Sequence, residues 1–545
     1  MIRTERRVRR LDGWGFAGEM LPPSPALLAW LDARLGPGEP FPIFEPAAFR
    51  PAEPAALPEL GCDASRDGVE RLRHARGRGF CDLVRLRSGT VPALPDAVAR
   101  PADPGELEAL LRAAHDHGLR VIPWGGGTSV TGGVNALAGE APLVAVDLAA
   151  LSGLEELDET SGLATFGAGS TGPQVEAALE PRGFTLGHFP QSWELSTLGG
   201  WIATRSTGQE SLAYGRIEQL VAGLDLVAPA GRLRLPALPA SAAGPDLRQL
   251  VLGSEGRLGV VTRATVRVRR RPEAGRVEAV LLPAWTPAVA AARELVQSGV
   301  PLAMLRLSDG AETEVAMAVG LAKSPFAPLA RGWLRLRGVG PGSCLLLLGA
   351  HGSWNAVDAA FEEARTVLRP YGAAWLGVRP GRRWTRDRFR HPYLRDALLD
   401  RGVATDTLET AAPWSRLDAL YAAVREALAP AAADGEREVP VLCHLSHPYR
   451  DGASLYFTFF FRCPTDPDAA VARWAGLKRR ATAALTAAGG TVSHHHGVGS
   501  WHAPWYAAEV GESGLAVVRR AAAELDPRGV LNPHVLLDGA DRLEE

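Results

Sequence analysis

The residues best placed to do chemistry form the run Pro123-Trp124-Gly125-Gly126-Gly127-Thr128-Ser129-Val130-Thr131-Gly132-Gly133, in which five of eleven residues are glycine. Backbone this rich in glycine can approach a ligand that side chains would hold away. Successive N–H groups in such a turn make a concave anion site, and the hydroxyls of Thr128 and Ser129 add donors. A diphosphate is the natural guest. The run has no lysine of the nucleoside-triphosphate loop and does not follow the GxGxxG spacing, so both of those sites are disfavoured. Taken alone, the run also fits a tight turn with no ligand.

Other candidates are spread along the chain. The stretch Gly187-His188-Phe189-Pro190-Gln191-Ser192-Trp193-Glu194-Leu195-Ser196-Thr197-Leu198-Gly199-Gly200-Trp201-Ile202-Ala203-Thr204-Arg205-Ser206-Thr207-Gly208 shows no helix or strand period. Its Trp and Leu residues favour burial, so it is expected to wrap a ligand. A third glycine segment is Gly253-Ser254-Glu255-Gly256-Arg257-Leu258-Gly259-Val260-Val261. Arg306 interrupts an apolar strand, Met304-Leu305-Arg306-Leu307, and a buried arginine needs a partner. Arg395 reads as a helix charge, and Tyr456 as one aromatic of a strand. His494, His495 and His496 are consecutive and cannot all point one way. His444 and His447 could join them around a metal. Their spacing of three suits a helix face, however, and the segment reads as loop or strand, so no metal is expected.

Periodicity gives the elements that must position these groups. Asp103-Pro104 is an N-cap followed by proline at the first helical position. Leu107, Leu110, Leu111 and Ala114 then repeat at helical spacing up to Gly118. Strands are expected at 96–99, 119–122 and 143–148, so that a strand–helix–strand unit delivers the glycine run at a strand's C-terminal end. A short helix is expected at 173–182, and the alternation at 266–269 reads as a strand. Further strands are expected at 277–282, 302–307, 343–348 and 454–461, with helices at 287–297 and 356–368. Four segments follow: a lead-in over 1–93, a ligand-binding domain over 94–273, an α+β cap over 274–485, and a segment over 486–545 returning to the site.

The totals narrow the class. At 545 residues the length suggests roughly three domains, or two large ones. A net charge of −2 gives no reason to expect nucleic acid. Cys62, Cys81, Cys344, Cys443 and Cys463 include no CxxC pair, so a reducing, cytoplasmic compartment fits. The basic residues 1–13 lack the apolar core of a secretory signal, and no stretch reaches the roughly 18 apolar residues of a membrane span. Peripheral membrane contact and a homodimer are both compatible with this composition.

Taken together and in order, these motifs resemble FAD flavoproteins of the vanillyl-alcohol-oxidase/p-cresol-methylhydroxylase type, and within them the alkyldihydroxyacetonephosphate synthases. The specific parts are Pro-Gln-Ser-Trp-Glu-Leu-Ser-Thr-Leu-Gly-Gly-Trp at 190–201, Glu409-Thr410-Ala411-Ala412-Pro413-Trp414, and the His run through Gly499. The resemblance implies an α+β fold, with a two-subdomain FAD-binding domain and an α+β cap. It implies noncovalent FAD, with Trp124, Gly125, Gly126, Gly127, Thr128, Ser129 and Val130 around the pyrophosphate. Gln191, Ser192, Trp193, Glu194, Leu195, Ser196 and Thr197 would hold the flavin and adenosine, with Thr204, Arg205, Ser206 and Thr207. Glu255, Gly256, Arg257, Leu258, Gly259, Val260 and Val261 would complete the cradle. No His or Cys interrupts 123–133 to offer a covalent attachment point.

The same resemblance implies redox-neutral chemistry on a lipid-like, phosphorylated substrate. The flavin would act as covalent catalyst while a fatty alcohol replaces the acyl group of acyl-dihydroxyacetone phosphate. Tyr456, His494, His495, His496 and Arg306 would be catalytic, and Arg395, His188 and His444 would bind substrate. Gln191 stands where the animal synthases carry Asp, and His444 where they carry Arg. The alternative is an FAD-linked oxidase or dehydrogenase of a 2-hydroxy acid. Those enzymes show Gly-Glu-His-Gly where this chain has His495-His496-Gly497, which favours the transferase.

Overall fold

Asp103 caps the helix Pro104–His117 by accepting the N–H groups of Gly105 and Glu106, and Gly118 ends it at a φ of 65°. Leu107, Leu110, Leu111 and Ala114 are all buried along one stripe. They pack on Val121, Val144 and Val146 of a four-stranded sheet. Its strands run in the order Asp63–Ser65, Ala97–Arg100, Leu143–Asp147, Arg120–Trp124, and the last three are parallel. The glycine run leaves the C-terminal end of Arg120–Trp124, as the strand–helix–strand reading expects. This computed structural model describes residues 8–45, 49–321, 332 and 339–545; residues 1–7 of the basic N-terminus lie outside them.

A second, antiparallel sheet has five strands, in the order Leu154–Asp158, Leu163–Gly167, Val260–Arg267, Val221–Ala228, Gly231–Leu235. The helix Leu198–Thr204 packs Leu198, Trp201 and Ile202 into its core. This helix corrects the aperiodic reading of 187–208. It is one short turn pair begun by Thr197, whose hydroxyl accepts the Gly200 N–H, and two glycines at its start hide the period. The segment read as a lead-in, 1–93, carries regular structure of its own. The segment holds the helices Pro25–Leu35, Gly68–Arg73 and Phe80–Ser88.

A seven-stranded antiparallel sheet forms the third layer. Its order is Ala374–Gly377, Ala274–Leu282, Cys344–Gly352, Met304–Ser308, Val441–Ser446, Gly452–Arg462, Val403–Pro413. Strand alternation divides its residues. Leu305, Leu307, Cys443, Leu445, Leu455, Phe457 and Phe459 enter one large core with the helices Trp285–Gln297, Trp354–Leu368, Leu417–Leu428 and Pro467–Ala487. Arg306, His444, Ser446, Tyr456 and Thr458 line the cavity on the opposite face. The chain end returns through Asn532, whose N–H bonds Val121 O at 2.7 Å. Its side-chain amide donates to Gly133 O and Glu255 O at 3.0 and 2.8 Å. No described helix is long and apolar enough to cross a membrane.

Phe457 and Tyr456 are neighbours in sequence on opposite faces of this sheet. Phe457→Ala is expected to cost about 3–5 kcal/mol, read as a lower denaturant midpoint at unchanged slope. Tyr456→Phe is expected to shift stability by no more than about 1 kcal/mol. Equal losses in the two variants would contradict this division of faces.

Candidate active site

A cavity of about 490 Å³ lies between the glycine run, the 190–209 wrap, the 254–261 segment and the seven-stranded sheet. Among the described residues, no hydrogen bond is donated by the backbone N–H of Gly126, Gly127, Thr128, Ser129 or Val130. A row of uncommitted N–H groups facing a cavity is an anion cradle. Gly127 holds a φ of 61°, and a Cβ on Gly126 would strike the Leu195 carbonyl. The Arg9 guanidinium donates to Gly126 O at 2.9 Å, so the N-terminal segment fixes the loop from outside. Thr207 Oγ1, Gln209 Oε1, Thr405 Oγ1 and Arg395 Nη2 are buried without a hydrogen-bond partner, and all four belong to cavity-lining residues. A polar ligand such as a dinucleotide with a bound anion fits this set.

The cradle residues read from sequence divide in two. Gly125, Gly126, Gly127, Thr128, Ser129, Val130, Gln191, Ser192, Ser196, Thr197, Thr204, Ser206, Thr207, Glu255, Gly256, Gly259, Val260 and Val261 line the cavity. The others stand behind it. Trp124 packs on His74, Trp193 stacks on Phe389, and Leu195 packs with Trp14 and Tyr393. Glu194 accepts from the Tyr393 hydroxyl, Arg205 donates to Leu252 O, Arg257 to Leu531 O, and Leu258 is fully buried. These seven shape the walls by packing. Gln209 and Thr405 line the cavity but carried no sequence signal beyond their polarity.

The seven-stranded sheet, the helix His391–Leu399 and the His run bring Arg306, His444, Tyr456, Arg395, His495 and His496 to the same cavity. Arg306 does have a half-buried partner: its Nη2 lies 2.5 Å from Glu312 Oε1 and 3.1 Å from His444 Nδ1. Burial alone would push the Glu312 carboxyl up, but Arg306 and His444 hold it below the carboxylate range. His444 stacks on Tyr456 with ring centroids 4.9 Å apart. Burial pushes the Tyr456 hydroxyl up to about 12, so it stays protonated at neutral pH. Arg395, on the helix His391–Leu399, donates to Arg78 O at 2.5 Å, its Nε lies 4.0 Å from Asp396 Oδ1, and its Nη2 has no hydrogen-bond partner. His391 also lines the cavity.

His188 is not brought into the cavity. It lies against Trp201, bonds Ser206 Oγ at 3.2 Å, and is lowered by burial to about 3. His494 also sits behind the lining. The His run is held by a residue that sequence reading quoted only as part of a motif. Glu409 is buried on Val403–Pro413 and accepts the N–H groups of His494, His495 and His496 at 2.6, 3.1 and 2.9 Å. The Ser493 hydroxyl makes a fourth bond at 2.8 Å. Burial would raise Glu409, but the four donors on its oxygens hold it below the ordinary range. Ligand-type atoms of Glu409, His494 and His495 lie within 4.8 Å of one another. With four donors already on its oxygens, Glu409 acts here as a loop anchor.

Comparison with known proteins gives this geometry a family. An FAD binding domain model matches residues 95–235, and a model of the C-terminal domain of FAD linked oxidases matches 271–536. The alkyldihydroxyacetonephosphate synthase of Trypanosoma brucei brucei is 33% identical over 484 residues, covering 86% of this chain and 78% of that protein. The chain belongs to the alkyldihydroxyacetonephosphate synthase family. A solved alkyldihydroxyacetonephosphate synthase structure superposes with a TM-score of 0.83 at 27% identity, over 96% of this chain and 98% of that one. A p-cresol methylhydroxylase structure, at 13% identity and a TM-score of 0.65 over 88% of this chain and 94% of that one, shares the fold. The family's cofactor is FAD, and the cradle described above fits it.

Glu255 ties this cradle to the His run, accepting the N–H groups of Val498 and Gly499 at 2.6 and 2.8 Å. Burial raises its carboxyl from 4.5 to about 7. A raised acid contributes stability that is full below its unfolded pKa and is lost as pH rises through the folded value. The apoprotein is therefore expected to lose on the order of 3 kcal/mol from this group as pH rises from 5 to 8. Melting curves across that range should show the slope in the parent chain and a flatter profile in Glu255→Gln. Parallel profiles would contradict the assignment.

Proposed function

We propose that this protein exchanges the acyl group of acyl-dihydroxyacetone phosphate for a fatty alcohol, without net redox and with noncovalently held FAD. The carrying observation is Arg395, a cavity-lining guanidinium whose Nε lies 4.0 Å from Asp396 Oδ1 and whose buried Nη2 has no hydrogen-bond partner, in the cavity that Tyr456, His495 and His496 also line. A guanidinium with an unpaired N–H group in a dry site is suited to a phosphate. The name of the Trypanosoma brucei brucei relative supplies the substrate class.

Bound FAD supplies nucleophilic chemistry in this reading. Arg395 takes the substrate phosphate, and Arg306 adds positive charge while shared with Glu312. Leu394, Leu398, Leu442 and Phe460 give the cavity an apolar wall against which acyl and alkyl chains exclude water. Tyr456 donates a hydrogen bond to the departing carboxylate, which leaves as the anion, and a cavity-facing imidazole of the 495–496 pair removes a proton from the carbon beside the carbonyl. We assign these roles to a cofactor segment at 94–273, a cap at 274–485 and a returning segment at 486–545. The five free cysteines fit a reducing, cytoplasmic setting.

Acid precipitation is expected to leave yellow FAD in the supernatant; a yellow pellet would mean a covalent link. Enzyme, acyl-dihydroxyacetone phosphate and fatty alcohol, mixed without oxygen or any electron acceptor, should give many turnovers of ether product and free fatty acid. Product that appears only with an acceptor, with 2-hydroxy acids bleaching the flavin, would establish the oxidase instead. Tyr456→Phe should retain FAD and lose at least ~100-fold in kcat. Arg395→Ala should act mainly on KM, by on the order of 100-fold.

A further inference from the structure

We propose that His495, His494 and Tyr449 form a proton relay from the cavity toward the outside of the protein. The proposal rests on the transferase reading, because it supplies the route for the proton which that reaction must move. The chain of contacts is continuous. His495 lines the cavity, and its Nδ1 lies 2.9 Å from Nδ1 of His494. His494 Nε2 lies 2.6 Å from the Tyr449 hydroxyl. His494 is buried, whereas Tyr449 is only half-buried and follows Val441–Ser446 on the way to the exposed Arg450.

Two Nδ1 atoms at hydrogen-bond distance impose a rule. One must carry the proton and the other must present its lone pair, so the two neutral rings hold opposite tautomers. Burial keeps both rings neutral, with His495 lowered to about 3 and His494 well below its usual value. Burial also keeps Tyr449 protonated, raised to about 12. A neutral imidazole pair can therefore pass a proton by exchanging tautomers, with no buried charge at rest. His495 Nε2 accepts a proton in the cavity, and the electron pair stays on the substrate. The His495 Nδ1 proton passes to His494 Nδ1, the His494 Nε2 proton passes to the Tyr449 oxygen, and the original Tyr449 proton leaves to solvent. One N–H or O–H bond forms for each one broken.

The surroundings hold the rings in line. Glu409 fixes the backbone of both histidines, and the Arg216 guanidinium donates to His494 O at 2.8 Å. His447 packs on His494 and His495 at 5.5 and 5.3 Å, with its Nδ1 3.2 Å from Ser211 Oγ. Tyr449 and His494 touch no reacting atom in this arrangement; they act through His495.

Tyr449→Phe keeps the ring and removes only the hydroxyl, and His494→Gln is the second variant. Both are first checked for FAD content and melting temperature. In the FAD-loaded enzyme, Tyr449→Phe should lower kcat by about 10-fold or more at unchanged KM. It should also change the solvent deuterium isotope effect on kcat and be rescued by millimolar imidazole buffer. Independently of any substrate, 15N-histidine spectra of the intact protein should show His494 and His495 as opposite tautomers, with the His494 Nε2 signal moving in Tyr449→Phe. Two like tautomers would overturn the relay, as would an active Tyr449→Phe enzyme with an unchanged kcat and isotope effect. Absence of ether synthesis in the parent enzyme would count against the transferase reading alone, and the tautomer pattern would then decide the relay.

Discussion

The site depends on one buried carboxylate. Glu409 accepts hydrogen bonds from three consecutive backbone N–H groups and one hydroxyl. Without it, those donors would stand unpaired in a buried place, at about 1–3 kcal/mol each. Three imidazoles in a row have no local periodicity to orient them. The carboxylate supplies that orientation by fixing the backbone, and the rings then diverge: His495 and His496 toward the cavity, His494 toward Tyr449. Glu409 is also the sheet partner of Tyr456, which in turn pairs with His444. One strand register therefore sets the anchor Glu409, the cavity-lining Tyr456 and its stacking partner His444 together.

The opposite wall is built by a different device. The glycine run leaves a parallel strand with its N–H groups uncommitted, and its stiffness comes from contacts far away in sequence. Arg9 holds it from the N-terminal side. Asn532 holds Gly133 and Glu255 from the C-terminal side, and Glu255 in turn holds Val498 and Gly499. The cofactor cradle and the His run are thus parts of one hydrogen-bonded frame. A shift at either would be felt at the other, since such frames are bistable or rigid but not softly deformable.

Much of the fold was legible because its signals are local. The capped helix Pro104–His117, the strand before the glycine run and the alternating strands of the large sheet are short-range patterns of apolar residues, caps and glycines. The helix Leu198–Thr204 was not, because Gly199 and Gly200 lower its intrinsic preference and its stability comes from burying Trp201 and Ile202. The site residues show the same division. A charge inside an apolar strand marked Arg306, but its partner Glu312 follows on a separate helix. Glu409 lies 85 positions from His494, and nothing in its neighbourhood says what it holds. His188 looked like the other candidates in sequence, and burial against Trp201 set it apart.

The sequence by itself determined which chemical groups were available: a glycine run suited to a diphosphate, isolated arginines, a strand tyrosine and a His run, in an order that identified the family. These properties follow from residue type and short spacing. Only the tertiary structure decided which groups share a cavity, which arginine keeps an unpaired N–H group, and which nitrogen of each imidazole faces which neighbour. Those outcomes depend on hydrogen bonds and burial between strands and loops far apart in the chain, and no local pattern encodes them.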